Sequence, residues 1–128
     1  MINSYRDLKV WQAGMVLAKG CYFLTRTFPK AELFAMTSQI RRAGTSIPAN
    51  IAERTGRENT GEYIQFLRIA QGSLKELETH LILAYEVEIC TNQMTQPLLD
   101  QADQIGRMLR ALICVLQAKR NKEKGNEP

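Results

Sequence analysis

The chain is poor in the groups that enzymes, membrane proteins and disulfide-stapled proteins rely on. Its 128 residues include one histidine, three cysteines, four prolines and 7% aromatics. There is no Cys-x-x-Cys pair, Cys/His cluster, Gly-rich phosphate loop or serine elbow. His80 has Glu76 one turn before it, but the Glu-x-x-His motif of di-iron bundles is missing. No catalytic residue, cofactor site or metal site is therefore expected, and His80 is read as a structural histidine. Cys21, Cys90 and Cys114 are odd in number, far apart and set among apolar neighbours. That pattern predicts buried free thiols in a reducing cytoplasm. The opening "MINSYRDLKVW" lacks the apolar core of a signal peptide. No apolar run is long enough to span a bilayer, so a cytoplasmic chain without membrane contact is expected.

What is present is helix-forming sequence with an uneven charge. The net charge is +4, but residues 1–58 carry +5, residues 59–118 carry −3 and residues 119–128 carry +2. A basic amino-terminal half suits a polyanion, and it equally suits an acidic neighbour within the fold or across an interface.

The spacing predicts four helices. Helix one runs from Ser4 or Tyr5 to Thr27. Its rows are Leu8, Trp11, Met15, Ala18, Tyr22 and, beside them, Val10, Leu17, Cys21, Leu24, Phe28. Pro29 ends it and opens the next. Helix two runs from Glu32 to Thr55 on Leu33, Met36, Ile40, Gly44, Ile47 and Ile51, stopped by Gly56. Asn59 with Glu62 caps helix three, whose seam is Tyr63, Leu67, Ala70, Leu74, Leu77, Leu81 and Ala84. Helix four is capped by Thr95 with Pro97 in its first turn, and carries Leu98, Ala102, Ile105, Leu109, Leu112 and Leu116. The fold class is all-α: an antiparallel up-down-up-down four-helix bundle over residues 1–118, with a disordered basic tail at 119–128.

Helices one and three carry more apolar residues than a bundle stripe needs. Phe66, Ile69, Leu83 and Val87 make a second row on helix three, with Ile82 further round. So wide an apolar face predicts a homo-oligomer.

The stretch "QIRRAGTSIPANIAERTGR", residues 39 to 57, sits awkwardly in a helix. Pro48 removes a backbone bond and presses on the carbonyl of residue 44, which costs about 3 kcal/mol. Gly44 gives room there, and the hydroxyls of Thr45 and Ser46 can reach freed carbonyls. A kinked helix is predicted; a break into two helices is the alternative. Asn50 lies beside Ile47 and Ile51, where its amide needs partners from another helix or subunit. Arg42, Asn50 and Glu53 are read as a structural polar network, within the bundle or between copies. Arg41, Arg54 and Arg57, with Arg26 and Lys30 at the opposite turn, are the candidate nucleic-acid contacts, since a guanidinium donates two bonds to phosphate at once. Interleaved Glu53 and Glu58 and the lack of an aromatic platform count against base stacking. The competing reading pairs Arg41 and Arg42 with Glu76, Glu78, Glu86 and Glu88 of another copy.

The strings "QIRRA…SIPANIAE" and "FLRIAQGSLKELET", with "FP" and Glu32 before them, resemble the 23S rRNA-intervening sequence protein family. The resemblance runs from "DLKVW" into helix four. It departs at Arg54, where a glycine is usual, and at "YEVEICTNQ", where a more apolar, glycine-containing turn is typical. The resemblance implies a small bundle that assembles as a ring, a homo-pentamer. It also implies similarity to the accessory variability determinant of diversity-generating retroelements, a basic pentameric barrel that binds nucleic acid and a reverse transcriptase. The function expected is thus a non-enzymatic oligomeric scaffold that binds RNA or DNA, structured RNA being favoured. The alternative is a structural or protein-docking oligomer with no affinity for nucleic acid.

Overall fold

The computed structural model describes residues 4–53 and 59–125. Among them the chain is all-helical, with four long helices and two short 3-10 turns. The helices are α1 (Lys9–Thr25), α2 (Met36–Ala52), α3 (Thr60–Glu86) and α4 (Asn92–Gly125). Each packs on two neighbours: α1 on α2 and α4, and α3 on α2 and α4.

The core forms where the apolar period is regular. All seven residues of the α3 seam, from Tyr63 to Ala84, are buried. Facing them are Leu17, Ile40, Ile47, Ile51, Ile105 and Leu109, each with at most 1% of its surface exposed. Burial of each such side chain contributes roughly 1.5–3 kcal/mol. On α1 the core row is Val10, Leu17, Cys21 and Leu24, continued by Phe28 beyond its end, whereas Trp11 and Met15 are half-buried and Tyr22 is exposed.

Several element boundaries differ from expectation. The first helix is divided: a 3-10 turn at Tyr5–Asp7, capped by the Ser4 hydroxyl, is followed by Leu8 in extended conformation and then α1. α1 ends at Thr25, where the Thr25 hydroxyl donates to the Cys21 carbonyl at 2.7 Å and Thr27 donates to Leu24 at 2.7 Å. The Thr27 hydroxyl joins its own amide on the Leu24 carbonyl, one of those at the helix end that lack a donor one turn on. Pro29 precedes a 3-10 turn at Lys30–Glu32, and α2 begins only at Met36. α4 begins at Asn92 because Thr91, not Thr95, caps it: the Thr91 hydroxyl accepts from the Met94 amide at 3.2 Å. Thr95 is fully buried and donates to the Asn92 carbonyl at 3.1 Å. Pro97 accordingly sits inside the helix. α4 then runs past Ala118 to Gly125, so residues 119–125, assigned above to a disordered tail, are helical.

The end of α3 is built as a Schellman turn. Ile89 N–H bonds the Ala84 carbonyl at 2.9 Å and Glu88 N–H bonds Tyr85 at 3.2 Å. Glu88 takes φ 66 to close it. This is the "YEVEIC" segment, where a glycine would be usual.

Candidate nucleic-acid interface

α2 is one helix through Pro48, which excludes the two-helix alternative. Side chains from both sides of the proline bond carbonyls that precede it, though not the Gly44 carbonyl that the proline leaves without its usual donor. Thr45 donates to Arg41 at 2.8 Å, and Asn50 donates to the Ser46 carbonyl at 2.8 Å and to the Ser46 hydroxyl at 3.0 Å. Gly44 also serves a purpose beyond room for the proline. A Cβ there would lie 3.1 Å from the Cys21 sulfur and 3.4 Å from its Cβ, so the glycine lets α1 and α2 approach closely. Pro48 faces Gly14 of α1 in the same contact: a Cβ on Gly14 would meet the Pro48 Cβ at 3.4 Å.

Asn50 finds its first partners inside its own helix. Ser46 then carries the link across, with its hydroxyl 2.9 Å from that of buried Ser73 on α3. Arg42 stands apart from this chain of bonds: it is exposed and donates to Gln39 at 2.9 Å. Glu53 is half-buried just after α2.

Two candidate contact residues, Arg26 and Arg41, meet aromatic rings at the α1–α2 end of the bundle. The Arg41 guanidinium carbon sits 4.6 Å from the centre of the Tyr22 ring, and its Nε donates to the Thr25 hydroxyl at 2.8 Å. The Arg26 guanidinium carbon sits 5.0 Å from the Phe23 ring centre. Arg26 and Lys30 are exposed, and Arg41 is half-buried. The aromatic partners missing from the linear reading are therefore present. Tyr22 is distant from Arg41 in sequence and reaches it only through the packing of α1 on α2, whereas Phe23 and Arg26 are three residues apart. Arg54 and Arg57 lie outside the described residues.

Charge is one-sided on this helix pair. From residue 8 to residue 52 there are six Lys/Arg (Lys9, Lys19, Arg26, Lys30, Arg41, Arg42) and one carboxylate, Glu32. Glu32 is half-buried and accepts from the Met36 amide at 3.4 Å. The acidic side of the molecule is α3, where Glu78 pairs with Lys75 at 3.3 Å. Glu76 stands 3.5 Å from His80 Nε2, yet that nitrogen has no hydrogen-bond partner; the contact is too long or poorly aligned to be a bond. No group of three or more His, Cys, Asp or Glu among the described residues could hold a metal ion. None of the described helices is long and apolar enough to cross a membrane. Cys21 and Cys90 are buried, but Cys114 is exposed on α4, against the expectation of three buried thiols.

Large apolar side chains remain exposed in the single chain. Phe34 is 93% exposed, and Phe23, Leu33, Ile69, Ile82, Leu83 and Val87 are exposed as well. The second row expected on α3 is thus largely on the surface.

The family model described as 23S rRNA-intervening sequence protein matches residues 6–111. No curated protein matches the chain. Among solved structures, the chain is similar to a protein with unknown function from the S23 ribosomal protein family of Bacteroides thetaiotaomicron VPI-5482. The two are 28% identical with a TM-score of 0.75, over 81% of this chain and 97% of that one. Neither description indicates an enzymatic activity.

Proposed function

The chain belongs to the 23S rRNA-intervening sequence protein family, and from that premise we propose that it is a non-enzymatic scaffold that self-assembles and binds RNA. The observation that carries the RNA reading is the pair of guanidinium groups held against Tyr22 and Phe23, in a stretch from residue 8 to residue 52 with six Lys/Arg and a single carboxylate. A guanidinium lying over a ring still has its N–H edge free to meet phosphate. Stacking thus orders the arginines without consuming their donors, apart from the Arg41 Nε bonded to Thr25.

The bundle itself is read as up-down-up-down. Gly14 against Pro48 and Gly44 against Cys21 support opposed directions for α1 and α2, and Leu98 beside Gly20 supports the same for α1 and α4. The assembly is a homo-oligomeric ring of five. Its support is the exposed row of Ile69, Leu83 and Val87 on α3, and the number five comes from the family likeness alone. A ring repeats each basic surface, so weak contacts to one RNA add up to strong binding. The chain acts in the cytoplasm.

RNA titrations at several salt concentrations test this reading. Affinity falls linearly on a log–log plot, and Arg26→Ala or Arg41→Ala each lowers the slope by about one. Arg54→Ala and Arg57→Ala do the same if those residues join the contact. Failure of any RNA to bind at low salt removes the RNA reading. The second reading, a protein-docking oligomer with a partner such as a reverse transcriptase, takes the exposed Phe34 as a protein contact instead. Recovery of one dominant protein partner after nuclease treatment, with no RNA affinity, selects it.

A further inference from the structure

The exposed aromatic side chains at the α1–α2 end have no role in holding the single chain together. Phe34 lies in the turn just before α2 with 93% of its surface in solvent, and Phe23 is 60% exposed beneath Arg26. Exposing a phenylalanine this fully is unfavourable by the measure of the core residues around it, so a partner surface is implied. The chemistry of that partner follows from the neighbours. Arg26 lies over Phe23 and Arg41 over Tyr22, Lys30 precedes Phe34 by four residues in the connection between the helices, and the half-buried Glu32 is the one carboxylate between residues 8 and 52. Protein interfaces take aromatics and arginine readily but deplete lysine and carboxylates, so what marks this end is its excess of cations over carboxylates, whereas α3 with its row of Ile69, Leu83 and Val87 carries Glu76, Glu78 and Glu86. The α1–α2 end has the opposite character, aromatic faces alternating with cations. Single-stranded nucleic acid offers the matching pattern of flat apolar bases and regularly spaced phosphates.

We infer that this surface binds unpaired nucleotides, with bases stacking on Phe34 and Phe23 while phosphates meet Arg26, Lys30 and Arg41. The inference rests on the RNA reading above and makes it specific: the ligand is a single strand or the loop of a folded RNA, not a duplex. A paired base shows only its edge in a groove, whereas a splayed base shows the face that an aromatic ring requires. Arg41 gives the site a fixed element, since its Nε is tied to Thr25 and its plane to Tyr22. Phe34 is the free platform.

The test uses the full chain and three fluorescent probes of one sequence: an unstructured RNA strand, the same strand as DNA, and the RNA duplex. Anisotropy is read with the parent, Phe34→Ala and Phe34→Trp, and the mass of each protein is taken by light scattering. Phe34→Ala should weaken single-strand binding roughly fivefold to a hundredfold, leave duplex binding unchanged and leave the mass unchanged, while Phe34→Trp keeps the affinity. Equal binding of the DNA strand also supports the site, because stacking asks only for a base. Single strand and duplex binding alike, both indifferent to Phe34→Ala, overturn the inference and leave RNA binding in place. Absence of binding by every probe removes both. A fall in mass on Phe34→Ala assigns the ring to a contact between copies and likewise overturns it.

Discussion

Small differences at single residues separate positions that look alike in the sequence. Gly44 and Gly72 are both helical glycines, and alanine favours a helix over glycine by about 1 kcal/mol. At Gly72 a Cβ meets nothing within 4 Å, so Gly72→Ala should raise the urea midpoint, by the equivalent of about 0.5–1 kcal/mol. At Gly44 the same atom crowds the Cys21 sulfur at 3.1 Å, inside a contact that cannot open without parting two helices. Gly44→Ala should destabilise by about 1–3 kcal/mol, and an unchanged midpoint would show that the contact is looser than described. Cys21 itself links stability to pH. Burial pushes its thiol from 9.0 to about 12, because a thiolate there would lose its water. Below pH 9 the thiol is protonated folded or unfolded, and its contribution is fully present. As pH rises towards 12 the unfolded chain releases this proton while the folded chain holds it, so stability falls across that window. Cys21→Ala should make the fall shallower, as followed by chemical unfolding at successive pH values. A thiol reagent should label exposed Cys114 first and reach Cys21 only on unfolding.

At the scale of the element, helix ends decide more than helix interiors. α3 starts on a strong cap: the Asn59 side-chain oxygen accepts from the Glu62 amide at 2.7 Å. Asn59→Ala should cost about 1 kcal/mol. Its other end is imperfect, since Glu88 occupies the left-handed position at φ 66. A side chain there is strained by roughly 1 kcal/mol against its carbonyl, so Glu88→Gly should stabilise by a similar or slightly smaller amount. Thermal unfolding followed by circular dichroism distinguishes the two substitutions by sign. A destabilising Glu88→Gly would mean that its carboxylate makes a contact worth more than the strain. In the middle of α2, Pro48 is accepted with its ring packed against Gly14 of α1, while Thr45 and Asn50 add bonds to the Arg41 and Ser46 carbonyls of the same helix. The proline is part of a helix crossing as well as a local irregularity.

The whole molecule has two kinds of unfinished surface. One is the aliphatic row on α3, and the other is the arginine–aromatic end of α1 and α2. If copies of the chain cover the first, replacing Leu83 and Val87 together by Glu should reduce the mass by light scattering from a multiple of 14.5 kDa to that of one chain. The helical circular dichroism should persist, since both side chains are exposed in the single bundle. Retention of the full mass would place the copy contact elsewhere. RNA affinity should drop in the same variant, because a separated chain presents one basic surface instead of several. Arg26→Ala should weaken RNA binding while leaving the mass alone, which keeps the two surfaces experimentally separate.

Four helices, the seam of α3, the Asn59 cap and the family were legible in the linear chain, because helical period and capping chemistry are local. A side chain every three or four positions faces one way whatever lies opposite, and an N-cap needs only its own next turn. The excess of apolar residues on α3 was legible for the same reason. What the chain lies against was not. The duty of Gly44 is set by Cys21, twenty-three positions earlier, and the partner of Ser46 by Ser73, twenty-seven later. Arg41 met Tyr22, and a basic stretch became a basic and aromatic surface, only when α2 packed on α1. Contacts between helices depend on which faces the folded chain brings together, and that choice is made by the whole core at once.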